Sequence, residues 1–204
     1  MKSGFLNRGS VLVGLLAMFF ASTALAQVEP TWVKQGVDWQ KYNMFLVRPL
    51  NVDNVQVIKP AYAQDDPSDW SLEIQDLQGI QAIFRDVMNE QLSGNDGYPL
   101  VYAPGRGVVE VEVELLSITP WLKPGGDPAL EGHVVTTLGS GEVTGRVELR
   151  DSTTRELLLL IEGDKAVGEK YTEFTRANNV SNIEVMFTSF GKRLRGAMDK
   201  VHGK

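Results

Sequence analysis

Cysteine is absent from all 204 residues, which excludes a disulfide framework, a thiolate metal site, a cysteine nucleophile and the thiol that N-terminal lipidation requires. Histidine occurs only twice, at His133 and His202, and neither has a partner at ligand spacing. The sequence therefore gives no reason to expect a metal or a cofactor. Basic residues are in deficit, 20 Lys and Arg against 26 Asp and Glu, for a net charge of -6. A phosphate backbone is bound by displacing its counterions with a cationic footprint, so this balance argues against a nucleic-acid partner. Long apolar runs are scarce too: VLVGLLAMFFA, from Val11 to Ala21, falls short of the ~20 residues that cross a bilayer as a helix.

What is present begins with an export signal. Lys2 and Arg8 precede that apolar run, and Ala24-Leu25-Ala26 supplies the small-x-small pattern of a peptidase site before the chain turns polar at Gln27. Residues 1–26 are expected to be cleaved. Residues 27–204 are then one domain, with 27–41 an extended N-terminal arm, 18 basic and 26 acidic residues, and no transmembrane segment. A chain of that size buries about 70% of its unfolded surface, enough for a core without cross-links. An exported cysteine-free domain fits the periplasm of a Gram-negative bacterium, free of a lipid anchor.

Periodicity sets the architecture. Tyr42 to Pro49 and Val52 to Ile58 predict one or two strands, and a short strand is expected at Leu100 to Tyr102. A helix starting between Asp66 and Asp76 carries Leu77, Ile80, Ile83, Phe84, Val87, Met88 and Leu92 on one stripe. Val109, Val111, Val113 and Leu115 alternate with Glu110, Glu112 and Glu114, and Val143, Gly145, Val147 and Leu149 alternate with Arg146, Glu148 and Arg150. Each pattern is that of a half-buried strand. If the two pair, glutamates meet arginines across the ladder and oppose register slip. Asp151 to Arg155 is a hairpin connection into Glu156 to Ile161, and a last helix is expected from Ser181 or Asn182, striped by Ile183, Met186, Phe187, Phe190, Leu194, Ala197, Met198 and Val201. The result is an α+β two-layer sandwich, a mainly antiparallel sheet with two amphipathic helices on one face.

Chemistry is thin along this chain. Glu110, Glu112 and Glu114 sit on the polar side of a strand, where a salt-bridged surface is expected rather than an acid–base pair. The acids Asp65, Asp66, Asp69, Glu73 and Asp76 match no calcium loop and suit a helix start. Gly139-Ser140-Gly141 lacks the spacing of a nucleophile elbow and reads as a flexible turn. The basic later turns of the last helix could approach anionic lipid, but the apolar stripe beside them reads as core. Thr119 to Gly141 is a long Gly/Pro-rich loop, and its Trp121, Lys123 and His133 form the expected contact surface for another envelope protein. The function expected is that of a non-enzymatic binding or accessory protein. The alternative is a carboxylate-dependent hydrolase, which requires two acids converging in a concave pocket.

Several short pieces in fixed order also resemble a known family, the envelope proteins and lipoproteins grouped as domain of unknown function 3313. They are Val37-Asp38-Trp39-Gln40-Lys41-Tyr42 with Phe45-Leu46-Val47-Arg48-Pro49, Gly105-Arg106-Gly107, Gly141-Glu142-Val143, Val147-Glu148-Leu149-Arg150-Asp151, Thr154-Arg155-Glu156-Leu157-Leu158 and Phe190-Gly191-Lys192-Arg193-Leu194. The resemblance implies an envelope location and an α+β fold, and offers no catalytic residue to transfer. This chain departs from it by lacking the lipobox cysteine and by placing Arg155 where a hairpin glycine is expected. A left-handed Arg155, or a different turn, follows.

Overall fold

The computed structural model describes residues 30–125 and 134–204. The expected export signal, the expected peptidase site and His133 lie outside them. Three long antiparallel strands make the centre: β4 (Val108–Pro120), β6 (Gly141–Asp151) and β7 (Leu157–Val167). β6 lies between the others, with Val113 opposite Val147 and Val147 opposite Ile161, so the alternating apolar residues share one face. On the far side of β7, β1 (Trp32–Val33) pairs antiparallel with Leu159 and Leu160.

The other edge departs from antiparallel order. β2 (Met44–Val47) and β3 (Gln56–Val57) both run parallel to β4, joined by a bridge from Asn51 to Glu114. They are successive pieces of one edge, interrupted around Pro49, which has no N–H to give a ladder. The strand expected at Leu100 to Tyr102 reduces to a single bridge between Leu100 and Phe45. The expected 119–141 loop is also corrected, because Thr119 and Pro120 extend β4. Thr136–Leu138 forms β5, which pairs with β8 (Tyr171–Glu173) in a small second sheet. β-Branched Thr136 and Thr137 favour that extended backbone.

Helix α1 (Ile74–Ser93) begins behind a reciprocal cap between Glu73 and Asp76, while Asp66 starts a separate 3-10 turn at Pro67–Asp69 by accepting from the Ser68 amide at 2.9 Å. Its Phe84, Val87, Met88 and Leu92 are buried. Helix α2 (Arg176–His202) starts five residues before the expected Ser181. Thr175 caps it by accepting from the Asn178 amide at 3.1 Å. The first turn is polar or exposed, so it adds nothing to the apolar stripe that marked the helix in the sequence. The helices approach closely at Gly191, where a Cβ would stand 2.8 Å from Cβ of Gln91. Phe84 meets Phe187 edge-on at 5.1 Å. The α+β sandwich, with both helices on one face of a mainly antiparallel sheet, is the observed fold.

An apolar cleft as the candidate functional site

Period-two alternation aims Val143, Gly145, Val147 and Leu149 of β6 at the helices, together with Leu159, Ile161, Gly163 and Lys165 of β7. In the middle of that floor Gly145 lies directly opposite Gly163. With two side chains missing side by side, the sheet cannot reach α2, and a cleft of ≈ 180 Å³ lies between them. Met186, Phe190, Ala197 and Val201 of α2 form its roof, and Trp39 closes the end near the helix C-terminus, where its neighbour Gln40 donates to the Val201 carbonyl. An opening lined so largely by aliphatic and aromatic groups suits an apolar molecule. Met186, Met198 and Phe190 suit that use, since methionine adapts its shape to what it touches. Gly145 was visible in the sequence as a break in the valine series of β6: an isolated glycine inside a strand signals a close backbone approach.

Charge is rare in this cleft and of one sign. Among the described residues Lys165 and Arg193 line it, and no acid does. Lys165 pairs at its outer end with Glu169 at 2.8 Å. Lys165 foremost, and Arg193 through its field, hold the Glu169 carboxyl below its usual 4.5.

The opposite face of the sheet carries the glutamates. Glu110 stands across from Arg150 and Glu114 from Arg146, as expected, but Glu112 faces Glu148. Arg150 relieves that like-charge pair, reaching Glu148 at 2.8 Å and Glu112 at 3.5 Å. Glu110 corrects the expectation of a surface row, because it has no exposure at all. Burial raises its pKa, but hydrogen bonds from Arg48 and Arg155 outweigh this and keep the carboxyl below its usual value. It is thus held ionised and paired. Arg155 reaches it because the hairpin puts this residue in the left-handed region at φ 63°, while the Asp151 carboxylate accepts from the amides of Thr153 and Thr154 at 3.0 Å each.

The residues expected to form a contact loop are placed as follows. Trp121 is half-buried, its indole donating to the Leu138 carbonyl at 2.9 Å, and its own carbonyl accepts from the Tyr62 hydroxyl. Lys123 is exposed and paired with Asp69 at 2.9 Å. Ser140 sits in a hydrogen-bonded corner rather than a loose turn, donating to Asn179 at 2.7 Å and accepting from Asn182 at 2.9 Å. The acids around residue 70 serve as caps and as the partner of Lys123. Among the described residues no group of three or more His, Asp or Glu is placed to hold a metal ion, and no helix is long and apolar enough to cross a membrane.

Fold and cleft together define a small α+β protein built around a sheet-and-helix sandwich. The chain belongs to the family described as protein of unknown function DUF3313, whose profile matches residues 18–194. No curated protein matches it in sequence. Among solved structures it is similar to protein XCC0632 of Xanthomonas campestris, at 10% identity and TM-score 0.46, covering 89% of this chain and 94% of that one. It is also similar to the PelC dodecamer of Paraburkholderia phytofirmans, at 9% identity and TM-score 0.37, covering 82% and 97%. A third is the hypothetical protein CT253 of Chlamydia trachomatis, at 11% identity and TM-score 0.36, covering 80% and 99%.

Proposed function

We propose that this is a non-enzymatic binding protein of the bacterial cell envelope, exported to the periplasm, that takes an apolar ligand into the cleft between α2 and the sheet. The observation that carries this is the paired gap at Gly145 and Gly163 beneath a roof of Met186, Phe190 and Ala197. Well-packed interiors leave few voids, so an apolar opening of this size is a feature of use rather than of stability. The hydrolase alternative needs two converging acids. Among the described residues the cleft lining contains none, and Glu110, the fully buried glutamate on the other face, is engaged by two arginines.

The test is uptake of a neutral fluorescent apolar probe, 1-N-phenylnaphthylamine, by the exported protein. Gly163→Val and Ala197→Phe each place carbon inside the cleft and are expected to abolish the fluorescence gain while far-ultraviolet circular dichroism stays unchanged. Uptake undiminished in both folded variants contradicts the assignment. The same reading gives the 119–141 segment, with Trp121, Lys123 and His133, the role of contact with another envelope protein. Replacing residues 124–133 by a short Gly-Ser link should then remove an envelope crosslink made by the parent chain.

A further inference from the structure

We propose that the ligand of this cleft is a single-chain acyl amphiphile with an anionic head, its tail lying between α2 and β6–β7 and its head meeting Arg193 and Lys165. This rests on the cleft being a binding site and adds the chemical class of what fills it. Shape supplies the first argument. The roof runs from Met186 to Val201, about 22 Å of helix at 1.5 Å per residue, over a floor only as deep as two missing side chains. A long shallow channel lets an extended alkyl chain touch apolar walls along its whole length.

Charge supplies the second argument. The chain as a whole carries more acids than bases, yet among the described residues the charged ones lining the cleft are Lys165 and Arg193 alone. Arg193 is exposed on the helix, and among the described residues no carboxylate lies within ion-pair distance of it. Lys165 is on the cleft floor opposite Val143, with its stem along apolar surface and its ammonium turned out to Glu169. Arg193 stands about halfway along that roof and acts electrostatically on the same Glu169, so both cations act on one anionic group. A carboxylate, sulfate or phosphate head placed there gains Arg193 outright and competes with Glu169 for Lys165. A cationic head is repelled, and a neutral one gains only from the tail.

Three twelve-carbon probes separate tail from head: laurate, dodecanol and dodecyltrimethylammonium, each titrated below its aggregation concentration into the full exported chain by calorimetry. Laurate should bind about fivefold more tightly than dodecanol, the span of a partly exposed ion pair, and the trimethylammonium probe should be weakest. Arg193→Gln with Lys165→Gln should erase the preference for laurate over dodecanol. Glu169→Gln frees Lys165 and should tighten laurate alone. Equal affinities for all three probes in the parent chain overturn the head-group assignment and keep the cleft as a site. Binding of none overturns the cleft itself, as does a concentration-dependent dimer that excludes every probe, since a second copy is then the occupant.

Discussion

Arg155 combines two opposing effects in one residue, and substituting it separates them. At φ 63° its backbone is in the left-handed region, which costs a non-glycine residue roughly 1 kcal/mol relative to glycine. Its guanidinium meets Glu112 and also Glu110, whose side chain has no exposure while that of Arg155 is 50% exposed. A hydrogen bond to a charged group is worth ~1.5–3 kcal/mol. The half-exposed arginine and the surviving partner Arg48 put the loss near the bottom of that range. Arg155→Ala should therefore destabilise the protein by about 2 kcal/mol, and Arg155→Gly by about 1, because glycine relieves the backbone while losing the same ion pairs. With a urea dependence of ~2 kcal/mol per molar, the midpoints should fall by about 1 M and 0.5 M at constant slope. An alanine variant within 0.5 kcal/mol of the parent, taking that as a rough margin of surface substitutions, refutes the role given to Glu110. A glycine variant less stable than the alanine one refutes the backbone argument.

Further outcomes follow from other contacts. Burial raises the Asp151 pKa, but the amides of Thr154 and Thr153, the Tyr42 hydroxyl and Lys41 depress it well below its usual 3.8. A depressed folded value contributes stability above the unfolded one and loses it as pH falls through the folded one. Urea midpoints should thus decline below about pH 4, and Asp151→Asn should flatten that decline while lowering stability at pH 7. Gly191→Val drives carbon into Gln91 across the helix crossing and should cost about 1–3 kcal/mol by thermal melting. If residues 1–26 are an export signal, intact mass of protein recovered from the periplasm should correspond to a chain starting at Gln27, and Ala26→Phe should leave a membrane-tethered precursor; a retained Met1 in that fraction contradicts the expected signal.

The parts of the fold that depend on side-chain period were legible in the sequence. The Val/Glu alternation of β4 and the Val/Arg alternation of β6 set their faces, and the stripe from Leu77 to Leu92 set α1. What was hidden depends on neighbours distant in the chain. Nothing around Met44 or Gln56 says that both strands run parallel to β4, since direction is fixed by packing and not by local pattern. Glu110 reads like Glu112 and Glu114, yet it alone is sealed, because Arg48 on one side and Arg155 on the other close over it. The cleft is an intermediate case: Gly145 interrupts a valine series openly, but its partner Gly163 sits in the polar stretch Glu162-Gly163-Asp164, and only the register pairs the two.

The central claim is that an alkyl chain lies between α2 and the glycine pair, and the methionine methyl groups report on it most directly. Met186 and Met198 line the cleft, whereas Met44 sits apart, near Gly107. With ¹³C-methyl methionine in residues 27–204, titration with laurate should shift the Met186 and Met198 resonances in saturable fashion and leave Met44 in place. Resonances of Met186 and Met198 that stay fixed, or a shift of all methionines together, contradict it.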